Sequence, residues 1–399
     1  MKHMKIALNG GTPVRKDILP IGRPFIGEEE KNEVMDTLNS DWLSKGPKTK
    51  QFENDFKKYV KSKYAVAVSS CTAGLHIALT ALGIKSGDEV ITTPLTFVAT
   101  GNVILYLGAK PVLVDVKISN FNIDVAQIKS KITKKTRAIM PVHFAGLPCE
   151  MSELMNISQS YGIPVVEDAA HAIGAEYHGK KIGSIGDISA FSFYATKNIT
   201  TGDGGMVTTN NEELAVKMDM LSFFGISSDA WQRYSPKGKS SYEMVELGYK
   251  YNMTDIQASI GIHQLKKLGN FIEVRGKYAQ IYTEHLSKVP EIILQKDDSK
   301  VVHARHIYPI VLKTENLNVD RNGFIEAMRA ENIGCGIHFI ALHKQHYYKE
   351  RFNFKESKFP NASYISDRIV SLPLYPKMTE QDVYDVIEAT NKIIDFYRK

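Results

Sequence analysis

The chain has 399 residues, of which 43% are hydrophobic and 24% charged, with a formal net charge of +6. That length supplies two or three domains with a large buried core, and the composition is that of an ordinary soluble globular protein. The positive excess is spread along the chain without a basic block or tail, which speaks against a nucleic-acid binder and suits an anionic small substrate.

From Met1 to Gly11 there is no apolar run of signal-peptide length, and no later stretch is long enough for a membrane helix. A reduced cytoplasmic compartment with no membrane partner is expected. Residues 28–40 and 47–60 read as amphipathic helices parted by Leu43-Ser44-Lys45-Gly46-Pro47. From residue 63 short apolar strands alternate with helices. Strands are expected at 64–68, 89–92, 111–115, 138–142 and 163–167. Helices are expected at 72–82, up to about 107, at 124–132 and at 150–161. Strands with continuous apolar runs, each followed by a helix, predict an α/β fold with a mostly parallel sheet covered on both faces. Ligands of such sheets bind beyond the carboxyl ends of the strands. Residues 225–248 are polar and irregular, a long excursion of the kind that is often functional. A long helix over about 254–285 follows. The remainder mixes a strand at 307–312 with helices at 321–331 and 379–396, which predicts a smaller α+β domain. The division is drawn as 1–265 and 266–399. The three cysteines, Cys71, Cys149 and Cys335, share no CxxC spacing, so neither a disulfide framework nor a metal site is expected.

The segment carrying the chemistry runs from Phe191 to Gly205. Lys197 follows an apolar approach (Phe191, Phe193) and precedes the Gly202-Asp203-Gly204-Gly205 turn. A desolvated amine beside a loop that leaves room for a flat ring is what a covalently held aldehyde cofactor requires. Pyridoxal phosphate (PLP) is that cofactor, bound as a Schiff base to a lysine with an acidic partner for its ring nitrogen. Asp168, at the carboxyl end of the expected 163–167 strand, is the candidate acid, although a lone Asp there is more often a cap or turn residue. His171 lies one short turn beyond it. Ser69-Ser70-Cys71-Thr72-Ala73-Gly74 joins a strand to a helix, and a helix N-terminus cradles a phosphate dianion. Thr72 and Ala73 sit at that start, and Ser192 is a further donor; simple hydroxyl capping is the other reading of Thr72. His338, in Gly336-Ile337-His338-Phe339, lines either a sugar pocket or an interdomain surface.

Taken together these segments resemble the DegT/DnrJ/EryC1/StrS family of PLP-dependent sugar aminotransferases, a branch of the fold type I aminotransferases. The most specific pieces are Glu167-Asp168-Ala169-Ala170-His171, Ser192 to Lys197 with the glycines behind, and Gly248-Tyr249-Lys250-Tyr251-Asn252. The resemblance implies that Lys197 is the Schiff-base lysine and proton shuttle, that Asp168 pairs with the ring nitrogen, and that His171 contacts the ring oxygen. It assigns the phosphate to Thr72, Ala73 and Ser192, and one ring face to Phe97. Asn252 would reach the phosphate of a neighbouring subunit in a homodimer with shared sites. Tyr194 and His338 would meet the substrate. The implied reaction moves an amino group from glutamate, leaving 2-oxoglutarate, to a nucleotide-linked 4-keto-sugar, with UDP the expected nucleotide. Transfer to carbon 3 of a dTDP-keto-sugar, or a non-catalytic PLP-binding regulator of the same fold, are the alternatives. Three departures stand out: Asp203 where the family carries Glu, Cys71 where Gly or Ala is common, and Tyr194 where many members carry His.

Overall fold

The structure is a computed structural model, and it describes residues 5–226 and 243–399. Most of the polar excursion expected at 225–248, and Met1–Met4, lie outside the described residues. In chain order the strands are β1 (Tyr64–Val68), β2 (Glu89–Thr92), β3 (Lys110–Leu113), β4 (Thr136–Met140), β5 (Val166–Asp168), β6 (Glu176–Tyr177), β7 (Lys180–Lys181), β8 (Ile188–Ser192), β9 (Gly205–Thr209), β10 (Ile292–Leu294), β11 (Val301–Val302), β12 (Tyr308–Leu312) and β13 (Ile369–Leu372).

Two ladders, β3-β2-β4 and β5-β8-β9-β1, meet edge to edge through the parallel bridges Ile139–Val165 and Val142–Asp168. The result is one seven-stranded layer in the order β3-β2-β4-β5-β8-β9-β1. Only β9 runs against its neighbours, so the expected mostly parallel sheet is the one that forms. Its strands are buried on both faces, which is why Tyr64-Ala65-Val66-Ala67-Val68 reads as a continuous apolar run rather than an alternation.

Two of these strands have no counterpart in the expected alternation. β8 and β9 are joined by the Lys197 loop instead of a helix, and hydroxyl residues interrupt their apolar pattern. The hydroxyls are satisfied internally: Ser189 donates to Glu167 Oε1 at 2.7 Å and Thr208 to the Gly183 carbonyl at 2.8 Å. Buried polar groups that find partners cost little, so the strands form despite their composition. The Gly-rich signal at 177–183 forms the tight hairpin β6–β7, with His178 and Gly179 at positive φ.

The first four helices are α1 (Glu28–Asn39), α2 (Pro47–Val60), α3 (Cys71–Ala81) and α4 (Val98–Tyr106), of which α3 and α4 line the site. The helix expected at 124–132 is shorter, Val125–Ile128, and runs on as a single 3-10 turn. The long helix spans Asp255–Leu286 and opens with a capping box between Thr254 and Gln257. Its Asp255 carboxylate accepts the Gly46, Lys48 and Thr49 N–H groups, so it also caps α2.

One core fills the space between the sheet, α2 and the long helix, around Phe52, Phe56, Phe191, Phe193 and Leu268. Full burial of each such side chain contributes roughly 1.5–3 kcal/mol. A second core lies under the antiparallel sheet β10-β12-β13 with the Arg321–Ala330 and Glu380–Tyr397 helices. Ile6 and Leu19 pack into this second core, so the start of the chain joins the C-terminal elements.

Candidate active site

The carboxyl ends of β5 and β8 open into a cleft of about 490 Å³, a size that suits a small-molecule ligand. Asp168 closes β5. Its backbone pairs in parallel with Ala190 of β8, two residues before Ser192. Glu167 points to the opposite face, where it accepts hydrogen bonds from His143, Gly186 and Ser189. Successive side chains of a strand alternate, so the Glu-Asp pair places only the aspartate in the cleft.

After β8 the chain turns sharply to present Lys197. The Lys197 N–H donates to the Tyr194 carbonyl at 2.9 Å, and Thr200 Oγ1 and the Thr201 N–H both donate to the Phe193 carbonyl. Phe193 anchors the loop, its ring 5.3 Å from Phe52 and 5.6 Å from Phe56. Gly202 takes a φ of 82°, a left-handed conformation that favours glycine. At Gly205, where β9 begins, a Cβ would stand 2.6 Å from the Ser70 carbonyl carbon. Only glycine lets β9 pass this close to the start of α3.

Burial dominates the electrostatics. It brings the Lys197 amine down to about 8, against the opposing pull of Cys71 and Asp168. It pushes the Asp168 carboxyl up, although Thr100 Oγ1 donates to Oδ2 at 2.7 Å and the Ala170 N–H to Oδ1 at 3.2 Å. Burial also holds His171 and His306 well below the usual imidazole range and His338 at about 4. At neutral pH these three rings are hydrogen-bonding groups rather than cations.

Most residues singled out from the sequence meet in this cleft: Thr72, Phe97, Asp168, His171, Ser192, Tyr194, Lys197 and His338 all line it. Phe97 and Tyr194 are more than half exposed and form its rim. His338 Nδ1 lies 2.9 Å from Ser371 Oγ. Ala73 and Asn252 are not lining residues. The Ala73 N–H is taken by Ser70 Oγ at 3.1 Å. Ser70, not Thr72, is therefore the N-cap of α3, which leaves the Thr72 side chain to the cleft. Asn252 bridges to Val68 and donates from Nδ2 to the Met253 carbonyl.

Three lining residues that bear on the chemistry were not singled out from the sequence. Thr100 lies one turn into α4, and nothing in the sequence links it to an aspartate 68 residues away. Phe339 packs on His171 with ring centroids 5.7 Å apart. His306 approaches Lys197, and its sequence signal was the closely spaced pair His303 and His306 before the expected strand at 307–312.

The residues fit a flat phosphorylated pyridine. A desolvated amine and a buried carboxyl face one space beside a helix N-terminus with the Thr72 and Ser192 hydroxyls. His171 Nδ1 is buried with no hydrogen-bond partner, and a buried polar atom of this kind calls for a ligand.

The family profile described as "DegT/DnrJ/EryC1/StrS aminotransferase family" matches residues 24–391. The spore coat polysaccharide biosynthesis protein SpsC of Bacillus subtilis is 48% identical over 383 residues, covering 95% of this chain and 98% of SpsC. Among solved structures, Spr1654 of Streptococcus pneumoniae, known in PLP and PMP forms, superposes with a TM-score of 0.86. In the PLP form it is 30% identical and covers 94% of this chain and 99% of its own. DesI, solved in the presence of its TDP-sugar product, gives a TM-score of 0.87 at 26% identity, covering 98% of this chain and 96% of its own.

Proposed function

The chain belongs to the DegT/DnrJ/EryC1/StrS aminotransferase family, whose members work with pyridoxal phosphate, and from that premise we propose its reaction. An amino group passes from glutamate, leaving 2-oxoglutarate, to a UDP-linked sugar oxidised at carbon 4. The product is an amino sugar for a surface glycan or lipid A. The observation that carries this reading is the pairing, in one cleft, of the desolvated Lys197 amine with the buried Asp168 carboxyl.

When bound, the cofactor supplies an electron-poor ring that takes up the electron pair left on carbon as a proton departs. The chain's own groups do the rest. Asp168 holds the ring nitrogen protonated, and Thr100 and Ala170 keep its carboxylate aimed. Lys197 would hold the cofactor through Nζ, and its free amine would take up the proton from the donor's α-carbon on Nζ. A fall from 10.5 to about 8 makes the free amine at neutral pH about 300-fold more abundant. Positioned proton transfer of this kind contributes roughly 10²–10⁴-fold in rate. His171 would meet the ring oxygen and Phe97 would cover a ring face, while Thr72 and Ser192, which line the cleft as Ala73 does not, would hold the phosphate.

Tyr194 at the rim and His338 within the cleft face the sugar. SpsC, by its name, acts in polysaccharide biosynthesis, and DesI binds a TDP-sugar product; both support a nucleotide-linked sugar. The UDP and carbon-4 assignment rests on the segment from Gly336 to Phe352, which resembles that of UDP-4-amino-4-deoxy-L-arabinose–oxoglutarate aminotransferase. The assignment of Asn252 to the site of a partner in a homodimer rests on the family resemblance of Gly248-Tyr249-Lys250-Tyr251-Asn252.

The test has two arms. Borohydride reduction of the PLP-loaded protein followed by peptide mapping labels Lys197; label elsewhere, or none, ends the proposal. A panel of UDP-, dTDP- and GDP-linked keto-sugars with glutamate is then assayed for 2-oxoglutarate. Release with the UDP 4-keto-sugar above the others supports the finer reading, and preference for a dTDP 3-keto-sugar replaces it.

A further inference from the structure

Lys197 Nζ lies 3.4 Å from His306 Nε2, at the long end of the hydrogen-bonding range. The tautomer of that histidine follows from its other neighbours. Asn198 Nδ2 donates to the Ala304 carbonyl at 2.7 Å, which turns Asn198 Oδ1 toward His306 Nδ1 at 3.2 Å. An amide oxygen can only accept, so the proton of the neutral ring sits on Nδ1 and the Nε2 lone pair faces Lys197.

The backbone of His306 is held just as closely. Arg275, on the long helix, donates from Nη1 to the carbonyls of Arg305, His306 and Leu374 at 3.2, 3.0 and 2.7 Å. Arg275 is 2% exposed and, among the described residues, pairs with no carboxylate. A buried guanidinium without a counter-ion is costly, and burial pulls it down to about 9. Its contacts tie the His306 strand entrance to the segment after β13.

Building on the assignment of Lys197 as the covalent lysine, we infer that His306 is a positioning residue for the transamination: its Nε2 accepts a hydrogen bond from the Lys197 amine whenever that amine is released, and so aims it. A freed lysine has four rotatable bonds and a buried polar end, and without an acceptor it would both wander and go unsatisfied. A merely basic partner would take the proton that Lys197 has to move. His306 does not, because burial and the neighbouring Lys197, His171, Arg275 and His338 keep it neutral. On the other side Lys197 faces Cys71 and Asp168. The proton therefore stays on the lysine while the imidazole fixes its direction.

The decisive measurement uses the cofactor-free protein. Lys197 labelling by dilute acetic anhydride is followed against pH with peptide mapping, which gives the titration midpoint of the amine. An acceptor stabilises ammonium more than amine, so His306→Leu is expected to lower the midpoint by about half a unit. His306→Gln, whose amide oxygen can accept, restores it. In the loaded enzyme His306→Leu lowers kcat roughly 10- to 100-fold with KM for glutamate changed less than about threefold, and His306→Gln recovers most of the loss. Asn198→Ala, which frees the ring to turn, shifts the midpoint in the same direction and stands in should His306→Leu fail to fold. An unchanged midpoint and kcat in a folded His306→Leu protein overturns the role of His306 alone. Failure of borohydride to label Lys197 in the wild type instead removes the assignment on which it rests.

Discussion

Asp168→Asn separates what the carboxyl does for the fold from what it does for the reaction. The side chain is 5% exposed and carries two hydrogen bonds, from Thr100 and Ala170. Asparagine keeps the shape and, through Oδ1, one of those bonds. The loss of the other costs about 1 kcal/mol, and relief from burying a charge offsets it. The sign follows from linkage. Burial raises the folded-state carboxyl, so ionised Asp168 weighs against the cofactor-free fold at every pH above that raised value. Cofactor-free Asp168→Asn protein should therefore match the wild type at pH 7 to within about 1 kcal/mol in urea unfolding. Catalysis behaves differently. Removing one partner of a buried ion pair costs roughly 3–5 kcal/mol, which converts to a fall of roughly 150- to 5,000-fold in kcat/KM. Steady-state kinetics with glutamate and keto-sugar reads this directly. A variant within tenfold of wild-type activity, or one whose cofactor-free fold loses several kcal/mol, would refute the assignment of Asp168 to the ring nitrogen.

Lys197→Met abolishes transamination and covalent labelling yet stabilises the cofactor-free fold. The drop from 10.5 to about 8 is worth about 3 kcal/mol at pH 7, and the gain shrinks as pH rises through the window from 8 to 10.5; urea midpoints at pH 7 and pH 10 check both statements. Gly205→Ala drives a Cβ against the Ser70–Cys71 peptide, so it should lose about 1–3 kcal/mol of stability together with PLP affinity, read by melting and by cofactor titration. Phe193→Ala removes the anchor of the Lys197 loop from its contacts with Phe52 and Phe56. About 3–5 kcal/mol of stability should go with it, while the loaded enzyme that remains folded keeps Lys197 labelling.

The sheet was legible because its strands are apolar on both faces and separated by helices, as from Tyr64 to Asp168. Legibility failed at β8 and β9, where Ser189, Thr208 and Thr209 dilute the apolar signal and their partners lie 20 residues or more away. The site shows the same division. Lys197, Asp168 and His171 stand in short segments whose residue types announce their chemistry. Thr100 and His306 matter only through contacts of 68 and 109 residues' separation, which no local pattern encodes. The alternative reading of Thr72, simple capping, falls to Ser70: both residue types cap helices, and the extended φ/ψ of Ser70, −167° and 161°, places the cap there.

Asp168 and Ala190 face each other across one rung of a parallel ladder. The separation of the two strand ends, one bearing the carboxylate and the other leading into the lysine turn, is thus set by main-chain spacing, about 4.8 Å, rather than by side-chain packing. Tyr194, Phe97 and the residues around His338 hang from loops and helix ends instead. Changing what the mouth of the cleft accepts need not disturb the distance that matters to the electrons, so redesign for another sugar can begin at the rim and leave the two strands alone.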